Sequence, residues 1–142
     1  MILLDVIVLL YAYDARAEGH AKARQWLEDA LTEGQPVRLA WATILAFLRI
    51  TTNPRILANP LLASEAVAIV NEWLAYSFVA ILNPGERHWS ILTKLMADAQ
   101  VRGPLVTDAH LAALAIEHGA QVCTTDRDFT RFTGLRLINP LA

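Results

Sequence analysis

The stretch Ile2-Leu3-Leu4-Asp5-Val6-Ile7-Val8-Leu9-Leu10-Tyr11-Ala12 places a single carboxylate inside an otherwise apolar run. Burying a charge in such surroundings is costly unless a partner compensates it. We therefore place Asp5 at the carboxyl end of a short buried strand, residues 2–5, with residues 6–13 continuing as a helix. Because ligands of open α/β sheets bind outside this edge, Asp5 is predicted to form one corner of a polar site.

The composition limits the kinds of protein that this chain can be. It has 142 residues, of which 55% are hydrophobic and 18% charged, and its formal net charge is −2. This length fits one domain over residues 1–142 with a sizeable core. The high apolar fraction indicates a large core or a surface that a partner covers. Since the chain is not basic, binding to nucleic acid would rest on a local patch or on metal ions.

Three features of the sequence predict the compartment. No apolar run reaches the ~18 residues needed to cross a membrane, and the N-terminus lacks the basic start and cleavage site of a signal peptide. The single cysteine, Cys123, excludes an internal disulfide and is typical of a reducing compartment; we expect it to be buried in a strand. The sequence thus predicts a cytoplasmic protein without membrane contact, and any secretion would proceed without a signal peptide.

Apolar periodicity along the rest of the chain alternates between strands and helices. The predicted helices are residues 20–31, 41–51, 65–75 (with Ser64 as N-cap), 86–99 and 105–118, and the further strands are residues 37–40, 78–82, 121–125 and 135–138. This alternation predicts an α/β fold with a mostly parallel sheet of about five strands, covered by helices on both faces.

Three further acids fall at comparable positions. Asp108 begins a predicted helix, and Asp126 and Asp128 follow the fourth strand, so they are expected at the same sheet edge as Asp5. Each acid alone can be an ordinary cap or turn residue, but four together would repel one another unless a cation lies between them. Oxygen ligands without a cysteine or histidine cluster select Mg²⁺ or Mn²⁺ over zinc. Such a site is typical of metal-assisted phosphodiester hydrolysis.

Four sequence blocks resemble those of PIN-domain proteins, and most closely those of VapC-type ribonuclease toxins from VapBC toxin–antitoxin pairs. The blocks are Leu4-Asp5 with Val8–Ala12, Trp41 to Thr51 with Asn53-Pro54, Thr107-Asp108 to Ala115, and Thr125-Asp126-Arg127-Asp128-Phe129. The resemblance implies a three-layer α/β/α PIN fold and Mg²⁺- or Mn²⁺-dependent endonucleolytic cleavage of RNA, with tRNA or rRNA among the candidate substrates. It also implies a homodimer and inhibition by a VapB-like antitoxin.

The resemblance implies roles for four acids and shows two departures. Asp5, Asp108 and Asp126 would be catalytic metal ligands, and Asp128 a supporting catalytic acid. The family commonly has an asparagine where this chain has Ile7, and many members have a glutamate that would fall at Ala46, where the nearest polar side chain is Thr43. Loss of an amide that orients the site can weaken metal positioning by ~10–100-fold.

Three other side chains are candidates for contact with RNA. Arg49 can reach the RNA backbone or pair with an acid of the site. Arg127, between two acids, can hold their geometry or contact phosphate. Trp41 begins a helix near the site edge and can stack on a base, with core packing as the alternative. His110 would lie about 200° around the helix from Asp108, so we expect it to be structural.

Other acid-lined α/β proteins fit the sequence less well. A receiver-like phosphoacceptor would need a lysine after the last strand, and residues 135–142 contain none. A haloacid-dehalogenase-like phosphatase would need a second acid at the position of Ile7. A catalytically weak PIN-fold protein that acts only through its antitoxin and dimer contacts stays open at this point.

Overall fold

A five-stranded sheet with the order β3-β2-β1-β4-β5 organises the chain, and every neighbouring pair of strands is parallel. The computed structural model describes residues 1–142. The strands are β1 (Ile2–Leu4), β2 (Val37–Leu39), β3 (Val79–Ile81), β4 (Gln121–Cys123) and β5 (Arg136–Ile138). The predicted five-stranded α/β fold is confirmed. The strands are one to two residues shorter than the sequence predicts.

Six α-helices connect and follow these strands, as parallel pairing requires. They are α1 (Val6–Tyr13), α2 (His20–Glu33), α3 (Trp41–Thr51), α4 (Ala63–Ala75), α5 (His88–Asp98) and α6 (Leu105–His118), and a 3₁₀ helix spans Arg127–Arg131. The prediction that Ser64 caps α4 is wrong, because α4 begins at Ala63, two residues before the predicted start, and Ser64 lies inside the helix. The Leu62 backbone N–H donates to the Glu65 carboxylate at 2.9 Å instead. No helix is both long enough and apolar enough to cross a bilayer.

The helices form a layer on each face of the sheet, each with its own apolar core. One core joins alternate strand residues such as Leu4 and Leu39 to α1, α2, α3 and α4. The other joins Leu3 and Val122 to α5, α6 and the segment that contains the 3₁₀ helix. Successive residues of a strand point to opposite faces, which explains why Leu3 and Leu4 are both buried in different cores.

The order of the strands creates a crevice at one edge of the sheet. The chain moves outward from β1 through β2 to β3, and then returns to the other side of β1 for β4 and β5. The direction of winding therefore reverses between β1 and β4. At such a reversal the connections leave in opposite directions, which opens a ligand crevice outside the carboxyl ends of the two strands.

Candidate metal centre

The four predicted acids come from the elements that border this crevice. Asp5 directly follows β1, and its backbone N–H donates to the Cys123 carbonyl at 3.0 Å, beside the end of β4. Asp126 follows β4 and caps the 3₁₀ helix, in which Asp128 lies in the first turn. Asp108 lies in the first turn of α6. The structure thus places all four acids at the predicted sheet edge.

Three of these acids converge on one point. Asp108, Asp126 and Asp128 each offer a carboxylate oxygen, and these oxygens lie within 4.8 Å of one another. The Asp126 carboxylate accepts the Asp128 backbone N–H at 2.8 Å through Oδ1. Its other oxygen accepts no hydrogen bond from the protein. Asp128 therefore belongs to the converging group, closer to the centre than a supporting role alone predicts.

Asp5, also predicted as a metal ligand, is not one of these three converging acids, and it is held by a residue that the sequence analysis did not single out. Its side chain is buried, at 6% exposure, and its Oδ2 accepts the Thr124 hydroxyl proton at 2.7 Å. The same hydroxyl oxygen accepts the Asp126 backbone N–H at 3.0 Å. Thr124 thus joins two of the acids. The signal that could have identified it is a polar residue at the end of an apolar strand, which is how Asp5 was found.

Burial and neighbouring negative charge raise the pKa values of Asp5 and Asp108. Burial, together with the charges of Asp5, Asp126 and Asp128, raises the pKa of Asp108 to about 6. Burial also raises the pKa of Asp5, and the charge of Asp126 adds to this, whereas the Thr124 hydroxyl acts in the opposite direction. Burial is the largest cause of both shifts, and the charge of Asp126 adds to both of them.

One cation lies beside the acids, and the sequence analysis did not identify it either. Arg131, at the end of the 3₁₀ helix, donates from Nε to the Asp128 carbonyl at 3.0 Å and from Nη2 to the Asp128 carboxylate at 3.3 Å. Its charge is also the one that acts to lower the pKa of Asp108. The three-residue spacing between Asp128 and Arg131 is the signal that could have found this pair.

The three predicted RNA contacts fall in different places. Trp41 is 54% exposed at the start of α3, and Thr43 in the same turn donates to the Leu4 carbonyl at 3.3 Å. Trp41 therefore belongs to the helical turn that contacts the end of β1, and its side chain is not buried in the core. Arg49 is exposed and lies about 12 Å further along α3 from Trp41 at the usual rise per residue. Arg127 is exposed on the 3₁₀ helix.

The structure shows the surroundings of Ile7 and Ala46, the two departures from the family pattern. Ile7 lines an apolar groove of about 650 Å³ between α1 and the end of α3 with the segment that follows it, here called the α1–α3 groove. Its side chain lies with Leu10, Tyr11, Ile50, Ile56 and Leu57. Ala46 offers no oxygen from α3, and the Thr43 hydroxyl is already bonded to backbone. The acids at the crevice therefore come from β1, β4 with its 3₁₀ helix, and α6.

His110 has the structural contact that its position on α6 predicts. Its Nδ1 lies 3.0 Å from Nε2 of His88 on α5, and the rings meet edge to face at 4.9 Å. Burial and the neighbouring His88 lower the pKa of His110. The pair joins α5 to α6 and does not belong to the acidic group. Cys123 is fully buried in β4, as predicted.

The donor set fits a hard divalent cation. It consists of carboxylate oxygens alone, with no histidine or cysteine among them, and Mg²⁺ and Mn²⁺ favour such ligands. Three carboxylates also leave room in the ion's coordination shell, because Mg²⁺ in proteins usually keeps several waters or phosphate oxygens. The arrangement can therefore hold a metal ion that meets a phosphate group.

Comparison with known proteins agrees with this geometry. The family model of the PIN domain matches residues 2–135. Ribonuclease VapC37 of Mycobacterium tuberculosis is 39% identical over 142 residues, with 100% of this chain and 99% of the relative covered. Ribonuclease VapC31 of the same species is 40% identical over 143 residues, with 99% of each covered. The solved structure of VapBC2 from Rickettsia felis bound to a promoter DNA fragment superposes with a TM-score of 0.71 at 16% identity, covering 98% of each chain.

Proposed function

The chain belongs to the PIN-domain family, and we propose that it is the toxin of a VapBC-type toxin–antitoxin pair, an endoribonuclease that depends on Mg²⁺ or Mn²⁺. The observation that carries this proposal is the convergence of three carboxylate oxygens within 4.8 Å at the sheet crevice. Full-length relatives named as VapC ribonucleases support the activity. A protein that only binds its partners would not need this uncompensated charge.

The acids divide into ligands and their support. We assign Asp108, Asp126 and Asp128 as the side chains that face the metal ion, and Asp5 as the buried acid that completes the negative field beneath them. A bound divalent ion would lower the pKa of a water and stabilise the charge that develops on the phosphate.

Thr124 fixes the position of Asp5 relative to Asp126. Its hydroxyl connects Asp5 at the end of β1 with the backbone of Asp126 after β4. Because β1 and β4 are paired in register from Ile2 with Gln121 to Leu4 with Cys123, the two acids are fixed by the sheet as well as by this bond. Fixed ligands lower the reorganisation that the reaction requires.

Two surfaces support the proposed partners. The α1–α3 groove is mostly apolar and of a size to receive apolar side chains of a VapB-like antitoxin.

Trp41 and Leu45, one turn apart on α3, are 54% and 60% exposed, and Trp89 on α5 is 73% exposed. Apolar side chains exposed in this number are typical of a covered interface, and we propose that a second copy of the chain covers them. Since the substrate is RNA, the cytoplasm is the compartment that we propose.

The decisive experiment is cleavage of total cellular RNA by antitoxin-free protein. Wild type, Asp108→Asn and the control Asp29→Asn would be compared with Mg²⁺, with Mn²⁺ and with EDTA. Asp29 is exposed on α2, where Gln25 donates to it, so its neutralisation matches the charge change away from the crevice. Discrete fragments that require both metal and Asp108 are expected. Absence of cleavage by folded wild-type protein, or full cleavage by Asp108→Asn, would refute the proposal.

A further inference from the structure

Arg131 is the cation that the fold ties to the acidic group. Two of its N–H groups are used on Asp128, one on the backbone carbonyl and one on the carboxylate. The side chain remains 35% exposed, so solvent and ligands can reach it. The contact is therefore an anchor at one edge of the guanidinium group, not a burial of the whole group.

The unused N–H donors of Arg131 suit one kind of ligand. A guanidinium group has five N–H donors in a planar fork that matches carboxylate and phosphate oxygens. Two of these are used on Asp128, which leaves three for an incoming anion. Because the anchored residue is one of the three converging acids, an anion held by these donors would lie beside the metal centre.

Other arginines do not offer the same combination. Arg38 donates to the carbonyls of Val37 and Phe78, and Arg136 donates to the Gly119 carbonyl, both near the amino ends of strands. Arg127 lies on the same 3₁₀ helix but is exposed without a hydrogen bond or ion pair from its side chain. An anchored arginine loses less conformational freedom when it binds a phosphate than a free one does.

We propose that Arg131 binds a backbone phosphate of the RNA next to the cleaved bond, while its contact with Asp128 keeps it at the metal centre. This inference rests on the proposed function, because it assigns the group that positions the substrate for the same reaction. The positive charge of Arg131 thus weakens binding of the metal ion, whereas its N–H donors strengthen binding of the RNA.

Loss of Arg131 should therefore strengthen metal binding and weaken RNA binding, a combination that loss of a purely structural contact would not produce. Arg131→Gln removes a positive charge beside three carboxylates, so Mn²⁺ should bind about 2- to 5-fold more tightly in the absence of RNA. The same variant loses a charge-assisted phosphate contact, so KM for RNA should rise about 10-fold or more. A tether that merely held the 3₁₀ helix in place would, when removed, weaken the binding of both.

The test combines calorimetry with cleavage kinetics. Mn²⁺ binding would be titrated without RNA, and cleavage of a labelled single-stranded RNA would be followed over a range of NaCl concentrations. The variants are wild type, Arg131→Gln, Arg131→Lys and the control Arg55→Gln, an exposed arginine after α3. For Arg131→Gln the slope of log(kcat/KM) against log[salt] should become shallower by about 0.7, the value for one contact to a single strand. Arg131→Lys should keep wild-type Mn²⁺ affinity with an intermediate KM, and Arg55→Gln should match wild type in every measurement.

Three results would overturn the inference. An unchanged KM and salt slope for Arg131→Gln would show that no phosphate is bound there. Weaker binding of both Mn²⁺ and RNA, in protein that melts like wild type, would show that Arg131 only tethers Asp128. Absence of metal-dependent cleavage by wild type would refute the proposed function and this inference with it, whereas the first two results leave the proposed function intact.

Discussion

Replacement of Asp108 by asparagine should stabilise the metal-free protein while removing its response to metal. Asp108 has a pKa of about 6 in the folded chain, against an ordinary value of 3.8. Its folded pKa is raised, so the folded state binds the proton more tightly than the unfolded state, and the charged side chain destabilises the fold above about pH 6. The difference of about 2 units corresponds to about 3 kcal/mol at 1.36 kcal/mol per unit. Solvent screening at this partly exposed site reduces it to about 1–2 kcal/mol.

Thermal melts in EDTA at about pH 7.5 measure this effect, and Asp108→Asn should melt about 3–6 °C above wild type. Added Mn²⁺ should raise the melting temperature of wild type and leave that of Asp108→Asn almost unchanged. Asp29→Asn, which removes a carboxylate from the exposed face of α2, should melt like wild type in both buffers. If Asp108→Asn melts at or below wild type in EDTA, or keeps the full Mn²⁺ response, the assignment of uncompensated charge at Asp108 is wrong.

Three further predictions concern the surroundings of the acids. Thr124→Val removes the hydroxyl that donates to Asp5 and should weaken Mn²⁺ binding by ~10–100-fold by calorimetry, whereas Thr124→Ser should retain it. Ile7→Asn should change the Mn²⁺ concentration for half-maximal cleavage by no more than about twofold, because the Ile7 side chain lines the α1–α3 groove. A change of ~10-fold in this concentration would place residue 7 at the metal centre. Because the pKa of His110 is lowered from 6.5, the unfolded chain takes up this proton first, and acidification below about pH 6.5 should destabilise the fold through this group. Melts of Asp108→Asn with and without His110→Gln, taken across this range, should show a flatter pH dependence when His110 is absent.

Much of the fold could be predicted because local patterns and tertiary structure agree. The bounds of α1, α3 and α6 match the sequence prediction, since each helix begins directly after a strand or after the Gly103-Pro104 break. The strands extend less far than the sequence predicts, although hydrogen bonding between neighbouring strands continues past their ends. The Thr124 backbone N–H still donates to the Ile138 carbonyl at 2.9 Å after β4 has ended.

The site was predictable in outline but not in its contacts. Acids at strand ends and at a helix start could be assigned to one sheet edge from topology alone. The bond between Thr124 and Asp5 spans 119 residues, and no local pattern encodes such a pairing. For Arg49, its position on the helix that follows β2 did not fix its distance from the acids. The length of α3 carries Arg49 about two turns away from the crevice.

The hydrogen bonds around Asp5 explain how a buried acid is kept ready for a cation. The Asp126 backbone N–H donates to the Thr124 hydroxyl oxygen, and that hydroxyl donates its own proton to Asp5 Oδ2. Each group in this chain donates to the next, so Asp5 is the final acceptor, and an acceptor role favours its ionised form. Burial and the charge of Asp126 act in the other direction and raise its pKa. A divalent cation at the crevice would relieve the repulsion without disturbing the hydrogen bonds, because Thr124 donates to one oxygen of Asp5 only. The fold thus holds its acids in a geometry that is unfavourable alone, and binding of the ion would return part of that free energy as stability.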